Sequence, residues 1–185
     1  TGTGSVTNFT RLADDTADSR FTRVVESWDR QANNGAGTYN FEFNSCCRVS
    51  QIANAAQSNM NLNTSITWDG SNANAPILFD FSSINPEVVR GSAYSDNLGA
   101  LSGNGQALSY DQALNVSITS QPSPSFVVDP TTGQLTIPVV DTTAMNYDNG
   151  ANAGADYAFS GNIKNADGSL VEFDWLFDAV NTGSS

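Results

Sequence analysis

Histidine is absent from this sequence, and lysine occurs once, at Lys164. Without histidine, a serine or cysteine nucleophile lacks its usual general base, and a lone lysine in an expected turn does not replace it. The glycine-rich stretch 103–105 lacks the following helix and lysine of a phosphate-binding loop. A glycosidase that uses two carboxylates stays open, because Asp and Glu are plentiful. We therefore expect a binding protein and not an enzyme.

Only two cysteines occur, and they are neighbours, Cys46 and Cys47. Two adjacent thiols without histidine cannot complete a tetrahedral zinc site. We expect a disulfide between them in an oxidising compartment, with two buried thiols or an intermolecular bridge as the alternatives. Long apolar runs are missing too, since none approaches the roughly 20 residues that span a bilayer. No targeting signal is visible, and the polar ends 1–5 and 181–185 are typical of flexible linkers to neighbouring domains.

Positive charge is scarce, because seven Lys and Arg residues stand against nineteen Asp and Glu, which gives a net charge of −12. Such a field repels phosphate backbones and anionic lipids, so we expect no nucleic-acid binding and no membrane insertion. Cations are attracted instead. Most of the acid is Asp beside Asn, Gly and Ser, the setting of oxygen-donating calcium loops, although an acidic surface can also serve solubility alone.

Apolar and β-branched residues recur at every second position in several segments, which is the pattern of half-buried strands. Turn clusters separate these segments, and an Asp-Gly pair within 165–168 predicts a hairpin. Strands joined by short turns predict one all-β domain over 1–185, an antiparallel sandwich of two sheets with most aromatic residues, including Trp68 and Trp175, in its core. The predicted strands are 21–28, 39–43, 62–68, 114–118, 126–128, 134–140, 157–163 and 170–177.

One stretch, 82–111, breaks the alternation. It is polar and rich in glycine, and about thirty residues is long for a connection within a compact domain. Loops of this kind are usually either functional or disordered, so we expect a long polar loop insertion here and take it as the leading candidate for a binding site. The alternative is a mobile insertion with no role.

Clustered Asp and Asn residues are candidates for calcium ligands, because Ca²⁺ takes roughly six to eight oxygens from carboxylates, amides, carbonyls and water. None of the clusters has the spacing of a helix-loop-helix calcium loop. Calcium binding is therefore indicated by the clusters together and not by any one of them. The most N-terminal cluster can instead cap a short helical turn. The candidate calcium ligands are Asp14, Asp15, Asp18, Asp96, Asp141, Asp148 and Asp156.

Three segments carry a resemblance to a known family. Residues 41–50 include the adjacent cysteines followed by Arg48, residues 126–136 contain Asp-Pro-Thr-Thr-Gly-Gln-Leu, and residues 171–175 close the pattern. Together they are similar to cadherin-like or immunoglobulin-like β-sandwich domains of bacterial surface proteins. With the acidic charge and the long polar stretch, the whole chain resembles the peptide-binding domain of large repeats-in-toxin adhesins from marine and Vibrio-type Gram-negative bacteria.

The resemblance implies a monomeric domain on the bacterial cell surface that binds the free C-terminus of a peptide on a host cell or alga, in adhesion and biofilm formation. A bound Ca²⁺ would contact the peptide carboxylate, since the ion reverses the local sign of an acidic surface. Alanine at Asp96 should then abolish ligand capture with little loss of stability. A structural spacer domain and a calcium-dependent glycan-binding module are the alternatives. The ligand-binding role is carried to Ser92, Tyr94, Asp96 and Asn97.

Overall fold

The computed structural model describes residues 35–46, 48, 52–55, 57, 59–71, 76–78, 84–85, 87–115, 117–122, 125–140 and 156–180. All of them except Gly35 belong to one compact unit, Ala36–Ser185. This part of the chain contains strands and no helix, and therefore no helix that could span a membrane. The strands are β1 (Gly37–Ser45), β2 (Met60–Trp68), β3 (Ile77–Leu78), β4 (Glu87–Val89), β5 (Tyr94–Asn97), β6 (Leu101–Ser102), β7 (Leu108–Asp111), β8 (Val127–Val128), β9 (Gln134–Ile137), β10 (Tyr157–Asn165) and β11 (Leu170–Val180).

The largest sheet has the order β1-β2-β11-β10-β7, and all of these neighbours are antiparallel. Strand β4 joins the C-terminal end of β11 in parallel. The predicted hairpin at 165–168 is confirmed, because it connects β10 to β11 with a hydrogen bond from Gly168 N–H to the Asn165 carbonyl at 3.0 Å. Gly168 has φ 94°, a left-handed conformation that glycine adopts without strain.

A second sheet has the order β5-β9-β8, and β3 pairs with β6 in a two-stranded ribbon. The turn between β8 and β9 is held by Asp129, whose Oδ1 accepts hydrogen bonds from Thr132 N–H at 2.7 Å and Thr131 N–H at 2.9 Å. These donors hold the pKa of Asp129 below its usual value. Gly133 closes the turn with φ 69°. The sequence Asp-Pro-Thr-Thr-Gly therefore forms a tight link in the small sheet.

One hydrophobic core contains side chains from both of these sheets. Phe159 on β10 and Phe177 on β11 stack with ring centroids 4.9 Å apart, and Tyr94 on β5 meets Phe177 edge to face at 5.2 Å. Leu135 and Ile137 on β9 are fully buried in the same cluster. The alternation of the sequence is the cause, because every second residue of β10 and β11 points toward the core. The prediction of an all-β, antiparallel fold is confirmed.

Several predicted elements differ from those in the structure or lie outside the described residues. The long loop predicted over 82–111 is wrong for its larger part, because 87–111 contains β4, β5, β6 and β7. Within the predicted strand 114–118, of which residue 116 lies outside the described part, Ile118 forms an isolated bridge with Ala55. Trp175 packs against the core while half-buried, and Trp68 is also half-buried. The segment 21–28 lies outside the described residues, and the single domain over 1–185 stays a prediction.

Candidate functional site

The predicted ligand residues Tyr94 and Asp96 lie together on β5, two positions apart and therefore on one side of the strand. The Tyr94 hydroxyl donates to the Asn85 carbonyl at 3.1 Å. Asp96 Oδ2 accepts from Asn85 N–H at 2.7 Å, and its Oδ1 accepts from Asn97 N–H at 2.8 Å. Burial of the phenol, together with the negative charge of Asp96, raises the pKa of Tyr94 far above its usual value. Tyr94 thus stays a neutral hydrogen-bond donor.

The other two predicted ligand residues, Asn97 and Ser92, also hold the local backbone. Asn97 Nδ2 donates to the Thr132 carbonyl at 2.9 Å, and Asn97 Oδ1 accepts from Gly99 N–H at 2.8 Å. Ser92 is exposed, and its carbonyl accepts from Val140 N–H at 2.9 Å. The structure therefore brings these residues onto one short strand and the turn before it. Their interactions connect β5 to the segments on either side.

Replacing Asp96 with alanine should lower the free energy of unfolding by about 2 kcal/mol, because two backbone N–H donors lose a charged acceptor. The sequence alone suggests little loss of stability for this substitution. Chemical denaturation of the two proteins measures the difference. Ser95→Ala, an exposed position on the same strand, serves as the control and should change stability by less than about 0.5 kcal/mol. Equal stability of Asp96→Ala and the parent protein would contradict the structural role of Asp96.

Two of the seven predicted calcium ligands, Asp96 and Asp156, fall on described residues. Asp156 is buried, and its Oδ2 accepts from Ala179 N–H at 2.9 Å. Asp178 precedes Ala179 on β11 and is the register partner of Glu87 on β4. Asp178 and Glu87 are both buried. Within the described part of the chain, no three Asp, Glu, His or Cys side chains are arranged to hold a metal ion. The remaining candidates, Asp14, Asp15, Asp18, Asp141 and Asp148, lie outside the described residues.

A buried ion pair between Arg48 and Asp174 was not identified from the sequence. The guanidinium and carboxylate side chains are 2% and 1% exposed, so almost no water screens the pair. Burial raises the pKa of Asp174, and it outweighs the opposing attraction of Arg48 and the hydrogen bond from Asn115. The adjacent Cys-Cys-Arg sequence was a signal for this position, but it did not reveal the partner on β11.

Cys46 lies two residues before that ion pair and is exposed, and the structure assigns it to a disulfide bond. Cys47, the other cysteine of the sequence, lies outside the described residues. The pairing of the two cysteines therefore stays a prediction. A disulfide between Cys46 and Cys47 would close a small ring directly before Arg48, the residue whose ion pair holds this segment against β11.

A second feature that sequence reasoning missed is an apolar surface on the β1–β2 hairpin. The register pairs Phe41 with Thr64 and Phe43 with Leu62, so these side chains share one side of the sheet. Thr64 is in turn the partner of Val171, whose side chain packs against the core. Phe41 and Phe43 are nevertheless 37% and 38% exposed. We call this surface the hairpin face, and it consists of Phe41, Phe43, Leu62, Ile66 and Trp68.

A further charged contact joins two strands of the large sheet, β10 and β7, and has a structural role. Lys164 and Asp111 form an exposed ion pair at 2.6 Å, and Asn162 Nδ2 donates to the other carboxylate oxygen at 3.0 Å. Partial burial raises the pKa of Asp111, but the hydrogen bond from Lys164 and further donors more than compensate, so its pKa lies below the usual value. An exposed pair of this kind contributes little to stability.

No family model, no curated protein and no solved structure matches this chain.

Proposed function

We propose that this chain is a calcium-dependent ligand-binding module of a bacterial surface adhesin, and that its ligand is the C-terminus of a peptide on a target cell. The hairpin face is the observation that carries the proposal. Buried aromatic anchors surrounded by polar residues supply most of the binding energy in protein interfaces. Phe41 and Phe43 are large aromatic side chains held at fixed positions on a strand while more than a third exposed.

The scaffold that we propose is a two-sheet β-sandwich of the cadherin or immunoglobulin type. Its support is one shared hydrophobic core that combines Phe173 and Phe177 of the large sheet with Leu135 and Ile137 of the small sheet. Sheets whose inner faces share one core pack face to face. The hairpin face then lies on the same side of the large sheet as this core, beyond the part that the core occupies.

The peptide side chains are assigned to the hairpin face rather than to β5. The side-chain oxygens of Asp96 and Asn97 already accept hydrogen bonds from backbone N–H groups, whereas Phe41 and Phe43 present apolar area to solvent. Removing apolar area from water favours binding by roughly 25 cal/mol per Å². Peptides with one or two large apolar side chains close to the C-terminus are therefore the ligands that we expect.

Calcium enters the proposal through the charge of the chain. A peptide carboxylate is repelled by a protein of net charge −12, and a bound Ca²⁺ changes the sign of the local field. Calcium also accepts amide and backbone carbonyl oxygens, so a site does not require three carboxylates from the described residues. The ligands that we propose remain the seven Asp residues named from the sequence, and of these Asp156 is buried and bonded to the backbone of β11.

A structural spacer domain is the second candidate, and the contacts of β5 favour it. Asp96 and Asn97 on β5 use their polar atoms to hold the backbone of neighbouring segments, which is a structural role that a spacer domain also needs. A spacer binds no peptide, so ligand capture distinguishes the two candidates. A spacer also gains nothing from an exposed Phe41 and Phe43.

The test is a screen of immobilised peptides with free C-termini against the 185-residue chain in calcium. We expect selected peptides to bind, their C-terminal amides to bind at least tenfold more weakly, and Phe41→Ser and Phe43→Ser to weaken binding by a similar factor. Leu101→Ser is the matched control, because Leu101 is 65% exposed on β6 and lies outside the hairpin face. Equal affinity for acid and amide peptides, or an equal loss in the control, would exclude the proposed site.

A further inference from the structure

Asn104 and Gly105 form an Asn-Gly pair in the bend that follows β6. Gly105 is exposed and has φ 78°, and nothing lies within 4 Å of the Cβ that a larger residue would carry there. Its backbone N–H makes no hydrogen bond within the described part of the chain. Glycine also lets the backbone bend toward the preceding side chain without a steric penalty. The backbone nitrogen of Gly105 is therefore accessible to the Asn104 side chain.

The Asn104 side chain is held in one orientation by its partners. Its Nδ2 donates to Asp167 Oδ2 at 2.9 Å, and its Oδ1 accepts from Gln106 N–H at 3.2 Å. An ionised carboxylate only accepts and a backbone N–H only donates, so the two ends of the Asn104 amide cannot be exchanged. The side-chain oxygen consequently faces the bend, and the side-chain nitrogen faces the hairpin turn at 165–168.

Three donors converge on the Asn104 side-chain oxygen. Besides Gln106 N–H, the Ser102 hydroxyl and Asn165 Nδ2 each donate to Oδ1 at 2.9 Å. Asn165 is 5% exposed, and its Nδ2 also donates to the Pro76 carbonyl at 2.8 Å, so this donor is fixed before any reaction. Donors held around a carbonyl oxygen stabilise the negative charge that forms on it during nucleophilic attack. The Asn104 side chain is thus prepared for attack at its carbonyl carbon.

We propose that Asn104 is a site of spontaneous modification, at which the backbone nitrogen of Gly105 attacks Asn104 Cγ and the side-chain nitrogen leaves as ammonia. The new N–Cγ bond forms while Gly105 N gives its proton to water. Nδ2 takes up a proton from water, the Cγ–Nδ2 bond breaks, and a succinimide ring remains. Water then opens the ring at either carbonyl, which leaves aspartate or isoaspartate at position 104. No electron is transferred, and water is the only co-reactant.

The Asp167 carboxylate assists the departure of the side-chain nitrogen. Nδ2 gains positive charge as it is protonated, and a carboxylate at hydrogen-bond distance stabilises that charge. After the reaction the same carboxylate faces a second one, because the amide at position 104 has become an acid. Two carboxylates that share one site repel each other. The modification should therefore separate the bend after β6 from the turn that joins β10 to β11.

The test is the rate at which Asn104 loses ammonia in the full chain, followed at neutral pH by peptide mass mapping and isoaspartate detection. The same chain unfolded in guanidinium chloride is the reference, because there only the Asn-Gly sequence determines the rate. We expect the reaction to be at least about fivefold faster in the folded chain, the effect of one neutral hydrogen bond that strengthens during attack. An equal or slower rate in the folded chain overturns the proposal.

Ser102→Ala tests the arrangement of donors, because it removes one of the three and leaves the Asn-Gly sequence intact. We expect this variant to react about fivefold more slowly than the parent when folded, and at the parent's rate when unfolded. Ser109→Ala, at an exposed position on β7 outside the network, is the control and should match the parent. Circular dichroism establishes that the variants are folded. An unchanged rate in folded Ser102→Ala contradicts the proposal, and the folded-to-unfolded comparison of the parent stands even if this variant does not fold.

Discussion

Replacing Arg48 with alanine should lower the free energy of unfolding by about 3–5 kcal/mol, the usual result of removing one partner from a buried ion pair. The remaining Asp174 side chain, which is 1% exposed, would lose its cationic partner, and it must then either carry an uncompensated buried charge or take up a proton. A loss of this size is a large fraction of the roughly 5–15 kcal/mol that stabilises most domains. Chemical denaturation in urea, with the midpoint and slope compared, measures it.

A double variant, Arg48→Met with Asp174→Leu, provides the control for this prediction. Replacing both charges with apolar groups of similar size often leaves stability unchanged or increases it, because neither charge then has to lose its water. We therefore expect the double variant to recover most of the stability lost in Arg48→Ala. A loss in the double variant equal to that of the single variant would show that packing of the Arg48 side chain, and not its charge, holds the segment.

The second large effect is expected for Gly161→Ala on β10. An ideal Cβ at this position would lie 2.2 Å from the backbone carbonyl oxygen of Asp111 and 2.9 Å from Phe173 Cζ. Phe173 can shift by a small amount, but the carbonyl belongs to β7, which pairs with β10 at Asn162. The methyl group must therefore separate the two strands. We expect a loss of at least about 3 kcal/mol, the upper range for overpacking a core.

Gly91→Ala is the matched control for the crowding at Gly161. Gly91 has φ 75°, and nothing lies within 4 Å of the Cβ that alanine would add. That substitution carries the backbone strain of a left-handed alanine without a collision, so a loss of about 1 kcal/mol is expected. Thermal unfolding of both variants is sufficient to compare them. Similar losses in the two would mean that β7 and β10 adjust to the methyl group.

The long strands were predictable because their pattern is local. In β1, β2, β10 and β11, apolar and polar residues alternate over many positions, and the Asp-Gly turn fixes one hairpin by itself. The strands within 82–111 were not predicted, for the opposite reason. Its strands are two to four residues long, and β5 reads Tyr-Ser-Asp-Asn, which has no alternation of apolar residues. Such a strand exists because β9 pairs with it, and β9 begins more than thirty residues later in the sequence.

The candidate site was less predictable than the fold. Composition indicated an acidic, cation-attracting protein, and the Cys-Cys-Arg sequence drew attention to Arg48. The partner of Arg48 is 126 residues away on β11, and no local signal specifies such a contact. The hairpin face was hidden for a different reason. Alternation shows that Phe41 and Phe43 share a side of β1, but it does not show that they are more than a third exposed in the folded chain.

The calcium dependence of peptide capture is the most direct test of the proposed function. A peptide selected with its free C-terminus is bound to the full chain in calcium, the metal is removed with a chelator, and calcium is then added back. We expect binding to be lost on chelation and restored on addition, because the metal supplies the positive charge that meets the carboxylate. Binding of the same affinity in the chelator, by a chain that is still folded, would contradict a calcium-dependent adhesin module.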